Sequence, residues 1–209
     1  MKLDLNSPII CGLDEAGRGP MAGPVCAASV ILPLDFDCSF LNDSKKLTKK
    51  RLDFAMREIL LHAQAWSVGW AYPEEIDRIN ILQASLLAMK RSFEGMMRKE
   101  ASLEEKSFDP KKLEIIVDGL FVPDLGLENC RAIPRADATC PAVMAASILA
   151  KTARDRMMMR YSWLYPQYGY EQHKGYPTKG HIEAMKQNGP SPIQRKSFHL
   201  KGEGQLGLF

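Results

Sequence analysis

The sequence has no continuous apolar run of membrane-spanning length, and Met1–Pro8 carries one lysine and no apolar centre of the kind a secretory signal needs. The expected compartment is therefore the cytoplasm, with no membrane association. Cysteine is sparse: Cys11, Cys26, Cys38, Cys130 and Cys140 are odd in number and form no C-x-x-C pair, which argues against a disulfide framework or a zinc knuckle. Buried thiols in a reducing compartment are the expected state. Charge of one sign is lacking too, since 28 Lys+Arg stand against 25 Asp+Glu. A net charge of +3 is compatible with a polyanionic partner without arguing for one, so the placement of charges must decide. No internal repeat and no interdomain linker is present.

What is present is ordinary globular material, 209 residues with 45% hydrophobic content, enough for one domain with a sizeable core. Ile9–Leu13 and Val25–Leu32 are short apolar runs bounded by Gly and Pro, and read as buried strands. The glycine-rich stretch 14–24 between them, with two Gly-Pro steps, predicts a hairpin. Ala65–Tyr72 is a third strand, Lys112–Val117 a fourth, and Arg131–Pro134 a shorter fifth.

Lys49–Ala63, after a Thr48 N-cap, places Leu52, Met56, Ile59, Leu60 and Ala63 on one helical face. Pro73 opens a second helix with Ile76, Ile79, Leu82, Leu86, Met89 and Phe93 along one side. Lys99–Lys112 reads as an exposed charged loop, Pro141–Tyr161 as a strong helix, and Thr178–Asn188 as a last one. The order predicts an α/β fold, a mixed sheet flanked by helices. Residues 1–198 are expected to form one catalytic domain with a C-terminal helical appendage, and 199–209 a flexible tail.

Three of these strands deliver carboxylates at their C-terminal ends: Asp14 and Glu15, Asp118, and Asp137. If the strands are neighbours, four acids converge. Like charges at close range resist joint ionisation, and a hard divalent cation removes that cost. Oxygen-only ligation favours Mg²⁺ or Mn²⁺ over zinc. Two such ions could activate a water and stabilise the leaving oxygen of an in-line phosphoryl displacement. Taken singly, an Asp between a strand and a glycine is equally ordinary turn chemistry. The string Asp14-Glu15-Ala16-Gly17-Arg18-Gly19-Pro20 lets backbone amides approach a ligand closely, but composition alone also allows a tight hairpin with a solvated arginine.

That string, following an apolar strand, resembles the signature of the type 2 ribonucleases H. It is joined in order by Asn42-Asp43-Ser44-Lys45-Lys46-Leu47-Thr48, Ile79-Asn80-Ile81-Leu82-Gln83-Ala84 and Val117-Asp118-Gly119. Ala145-Ala146-Ser147-Ile148-Leu149-Ala150-Lys151 with Arg154-Asp155 follows, then Gln172-His173-Lys174-Gly175-Tyr176-Pro177-Thr178. The similarity to the ribonuclease HII family spans about Ile10 to Phe198, nearly the whole chain.

The resemblance implies a ribonuclease H-like fold and an endonuclease that hydrolyses the RNA strand of RNA–DNA hybrids. It further implies incision 5′ to single ribonucleotides in duplex DNA, leaving a 3′-hydroxyl and a 5′-phosphate. Roles in ribonucleotide excision repair and DNA replication follow, with a monomer as the expected state. By the same resemblance Asp14, Glu15, Asp118 and Asp137 are the catalytic metal ligands. Gly17, Arg18, Gly19 and Tyr176 recognise the 2′-hydroxyl, the group that separates RNA from DNA. Ser44, Lys45 and Lys46 lie where phosphate contacts are expected, whereas Lys49 and Lys50 read better as a solvated basic stretch. Asp155 reads as an ion pair with Lys151, and His173 and His181 as orienting or phosphate-contacting groups.

Three departures from the family pattern stand out. Arg135-Ala136-Asp137 replaces K-G-D, Leu120-Phe121 follows Asp118-Gly119 where Asn is frequent, and Gln194 replaces the His of H-R-x-S-F. The final Gln205-Leu206-Gly207-Leu208-Phe209 resembles the Q-L-x-L-F pentapeptide that docks bacterial repair proteins on the sliding clamp; the bland alternative is a tail that folds back or frays. The ribonuclease HIII relatives carry an extra N-terminal domain for which Asp14 lies too near the start. A junction resolvase would need the acids without the G-R-G and G-Y-P-T elements, and a hybrid-binding module could lose the acids.

Overall fold

The computed structural model describes residues 9–41, 48–102 and 108–198. Ile9–Ala16 (β1) and Val25–Ile31 (β2) pair antiparallel, with Ala16 opposite Cys26 across the glycine-rich turn. Ala65–Ala71 (β3) pairs antiparallel with β2. Leu113–Asp118 (β4) runs parallel to β1, and Cys130–Ile133 (β5) parallel to β4. The sheet order is thus β3-β2-β1-β4-β5. The strands expected to carry the acids, β1, β4 and β5, are consecutive neighbours pointing the same way.

Helix α1 (Lys49–His62) starts at Thr48, whose hydroxyl oxygen accepts the Arg51 N–H at 3.5 Å, and buries Leu52, Met56 and Ile59 as the periodicity predicts. With α3 (Pro141–Leu164) it covers one face of the sheet over Cys26, Ala28 and Val30. Helix α2 (Pro73–Ala101) covers the other, over Cys11, Leu13, Ala27 and Ile115. Each fully buried Leu or Ile in these layers contributes about 1.5–3 kcal/mol. The five thiols are all free, Cys11 and Cys26 fully buried.

Two expectations are corrected. Helix α2 runs to Ala101, through residues read as the start of an exposed loop, and it bends at Asn80, whose φ of 67° is non-helical. The bend resets the helical phase. Beyond it the buried stripe is Ala84, Ser85, Ala88, Met89, Ser92, Phe93 and Met96, and Leu82 and Leu86 are left half-buried. No helix among the described residues is long and apolar enough to cross a membrane.

After α3 come a 3₁₀ turn (Pro166–Tyr168), the short α4 (Tyr170–His173) and α5 (Lys179–Asn188). These form the C-terminal helical portion around Tyr168, Tyr170, Met158 and Ile193, and the same cluster takes in Ala22 from the β1–β2 turn.

Candidate active site

Asp14 lies within the C-terminal part of β1, Asp118 is the last residue of β4, and Asp137 sits in a 3₁₀ turn (Ala136–Ala138) just beyond β5. The parallel register aligns the strand ends, with Leu13 opposite Val117 and Asp118 opposite Ile133. Arg135, in the left-handed region at φ 61°, turns the chain so that Asp137 joins the group. One carboxylate oxygen from each of Asp14, Asp118 and Asp137 lies within 4.8 Å of the others. Glu15 falls outside that set. Its side chain pairs with Arg18 Nη1 at 3.4 Å, while its charge still bears on Asp14.

Asp14 is buried, and burial pushes its carboxyl well above the ordinary carboxylate range, with the Glu15 and Asp118 charges adding to the rise. A hydrogen bond from Ser147 and the Glu15 N–H at 2.7 Å oppose it. Ser147 reaches Asp14 because α3 lies unusually close to β1. A β-carbon at Gly12 would collide with the backbone of Ala142 and Val143, so only glycine permits this approach. The set suits a hard divalent cation: three carboxylates at short range, one nearly fully buried, and no His or Cys donor in the group.

Beyond Glu15 the chain turns through Gly17, at φ 98°, with Arg18 and Gly19 exposed. Tyr176, 48% exposed, stands over this turn; its Cε1 is 3.5 Å from where a β-carbon of Gly19 would lie. The glycine-arginine-glycine turn and the tyrosine, far apart in sequence, are therefore adjacent. The Tyr176 loop is held by the Met21 N–H donating to Gly175 O at 2.8 Å and by two histidines. His173 Nδ1 accepts the Gly175 N–H at 3.2 Å and its Nε2 donates to Tyr168 O at 2.8 Å. His181 Nδ1 donates to Tyr176 O at 3.0 Å. These nitrogens are committed to backbone, so both rings orient the loop.

Lys151 and Asp155 form the expected ion pair at 3.0 Å. Ser44, Lys45 and Lys46, and the terminal Gln205, Leu206, Leu208 and Phe209, lie outside the described residues. The sequence reading assigned no role to Ser147 or to Arg154 and Arg195. The first was visible only as part of the A-A-S-I string. The other two are cations whose burial nothing in their flanking residues foretold.

Residues 11–201 match the family model described as Ribonuclease HII. A ribonuclease HII of Treponema denticola is 55% identical over 201 residues, covering 92% of this chain and 99% of that protein. The crystal structure of the ribonuclease H2 of Pyrococcus horikoshii superposes with a TM-score of 0.65 at 28% identity, covering 90% of this chain and 93% of that one. The ribonuclease HII of Archaeoglobus fulgidus, solved in a complex with PCNA, shares the fold with a TM-score of 0.68 at 24% identity, covering 94% and 98%. The chain belongs to the ribonuclease HII family, the ribonucleases H that cleave the RNA strand of RNA–DNA hybrids.

Proposed function

We propose that this ribonuclease H incises duplex DNA on the 5′ side of a single embedded ribonucleotide as well as cleaving longer hybrids, with Mg²⁺ or Mn²⁺ held by Asp14, Glu15, Asp118 and Asp137. The observation that carries the reading is the adjacency of a carboxylate cluster to a turn and a tyrosine fit to read one ribose. When bound, a pair of divalent ions supplies a water nucleophile at neutral pH and offsets charge on the departing oxygen.

The chain's own residues do the rest. Asp14 from β1, Asp118 from the end of β4 and Asp137 from the turn beyond β5 present hard oxygen donors. Glu15 adds a fourth carboxylate and steadies Arg18. The backbone of Gly17, Arg18 and Gly19 offers N–H donors to a 2′-hydroxyl, and the Tyr176 ring packs against the sugar. Neither His173 nor His181 serves as general base, because both His173 nitrogens are on backbone groups and the His181 ring is fully buried. The products are a 3′-hydroxyl and a 5′-phosphate, consistent with attack by water rather than by the ribose itself.

Ser44, Lys45 and Lys46 complete the reading as phosphate contacts. Gln205, Leu206, Leu208 and Phe209 complete it as a sliding-clamp ligand, supported by their spacing and by the two large apolar side chains of Leu208 and Phe209. A cytoplasmic monomer acting in ribonucleotide repair and replication is the corresponding cellular role.

The test is cleavage of duplex DNA containing one ribonucleotide, with Mg²⁺, Mn²⁺ or EDTA, by wild type and Asp118→Asn. Metal-dependent incision 5′ to the ribonucleotide, lost in Asp118→Asn, is the expected result. Cleavage confined to long hybrids removes the junction activity, and 2′,3′-cyclic phosphate ends refute the mechanism.

A further inference from the structure

Two arginines are buried in this domain, Arg154 at 2% exposure and Arg195 at 0%. Among the described residues neither has a carboxylate within ion-pair distance. An isolated buried cation is costly unless its donors are satisfied, so the partners these two have instead are informative. All are backbone carbonyls of one loop. Arg195 donates through Nη2 to Gly17 O at 2.6 Å, through Nη1 to Arg18 O at 3.0 Å and through Nε to Gly23 O at 2.9 Å. Arg154 donates through Nε to Pro24 O at 3.0 Å and through Nη2 to Ala22 O at 3.2 Å. The Arg195 backbone N–H takes Met21 O at 2.8 Å.

The direction of these bonds matters. The loop has no cis peptide, and in a trans peptide the C=O of one residue and the N–H of the next point to opposite sides. With the Gly17 and Arg18 carbonyls drawn inward onto Arg195, the N–H groups of Arg18 and Gly19 must face outward, and these two residues are the exposed ones of the loop. Gly17 is needed for the same reason: a β-carbon there would strike the Arg154 guanidinium. Arg154 also lies beneath Tyr176, its Cζ 6.0 Å from the ring centroid.

We propose that Arg154 and Arg195 are positioning residues for ribonucleotide recognition, fixing the amides of Arg18 and Gly19 in the outward orientation that receives the 2′-hydroxyl. The inference rests on the junction reading given above. The two guanidiniums divide the work: Arg195 commits Nε, Nη1 and Nη2 to Gly23, Arg18 and Gly17, and Arg154 takes up Pro24 and Ala22. Lysine retains the charge but supplies one ammonium where the fork is needed. The segment bearing Arg195 is itself pinned from outside, since Asp77 accepts the Lys196 and Ser197 N–H groups, each at 2.9 Å.

The test is the ratio of dissociation constants, measured in EDTA, between all-DNA duplex and the same duplex with one ribonucleotide. The enzymes are wild type, Arg154→Lys, Arg195→Lys and Asp77→Ala. Loss of folded protein alone weakens both complexes equally and leaves the ratio unchanged, whereas the proposed role lowers it. Wild type should favour the ribonucleotide duplex, and each lysine variant should cut the ratio by about fivefold or more. Asp77→Ala, which loosens the segment without touching the core, should cut it by about twofold.

An unchanged ratio in the lysine variants overturns the proposal. Where those do not fold, an unchanged ratio in Asp77→Ala overturns it. A wild-type ratio of one removes the junction reading and this inference together, whereas a wild-type preference that survives in the variants removes this inference alone.

Discussion

The rings of His173 and His181 lie stacked, their centroids 4.4 Å apart and their planes 14° from parallel. His181 is fully buried, and with Nδ1 donating to Tyr176 O its Nε2 has no partner among the described residues. A second proton would have to sit on that buried nitrogen. Burial accordingly holds the His181 ring below its ordinary 6.5, with the His173 ring a further cause. The unfolded chain takes up this proton and the folded one resists it. The associated stability is complete above pH 6.5 and is lost as pH falls from there through the lower folded value. Thermal midpoints measured from about pH 7.5 to about pH 5.5 should therefore drop more steeply in wild type than in His181→Asn. Equal slopes would show that the ring accepts its second proton without penalty.

Asp118→Asn is expected to raise the thermal midpoint of the metal-free protein while abolishing metal-dependent cleavage. Three carboxylates with oxygens within 4.8 Å repel one another when no cation is present, and the amide removes one charge at nearly constant volume. A gain of about 1 kcal/mol corresponds to roughly 2–4 °C for a chain of this size. A lower midpoint in EDTA would mean that hydrogen bonds to Asp118 outweigh the repulsion. The same melts with added Mg²⁺ should stabilise wild type more than the variant.

How far the sequence foretold this site follows from what each feature depends on. β1, β4 and their terminal acids were legible because a strand's apolar run and the residue ending it are local. Pairing of β1 with β4 is long-range, and from sequence it stood only as a condition for convergence. Glu15, next to Asp14 in the chain, pairs with Arg18 and lies outside the tight set of three, while its charge still acts on Asp14. Asn80 broke the helical period in a way no propensity signals, and the stripe read through Leu82 and Leu86 slipped out of phase. The burial of Arg154 and Arg195 was illegible, because it is set by carbonyls more than a hundred residues away in the chain.

Ser147→Ala should weaken metal binding, and so raise the Mg²⁺ requirement of cleavage, without unfolding the protein. The Ser147 hydroxyl hydrogen-bonds Asp14 and so orients a carboxylate proposed to bind the metal. Losing a partner of this kind typically costs about tenfold or more in metal affinity. The Mg²⁺ concentration for half-maximal rate should rise accordingly, with the rate at saturating Mg²⁺ far less affected. Because the helix is held against β1 at Gly12 by packing rather than by this hydroxyl, the thermal midpoint should change little. An unaltered Mg²⁺ dependence would show that Asp14 is oriented by its other contacts.

Asn80 occupies backbone at φ 67° and ψ 166°, a region open to glycine and costly for any residue with a β-carbon, by about 1–3 kcal/mol. Its side chain offsets part of that cost, since Oδ1 accepts the Gln83 N–H at 3.1 Å and caps the second half of α2. The two effects separate in substitution. Asn80→Ala keeps the strain and loses the cap; Asn80→Gly relieves the strain and loses only a few tenths of a kcal/mol in capping. Denaturant melts should therefore order the variants with Asn80→Gly above Asn80→Ala by about 1–2 kcal/mol. The reverse order would mean that α2 straightens once the asparagine is removed. In that case the bend belongs to the side chain rather than to the packing of Ile76 and Ala84 on either side of it.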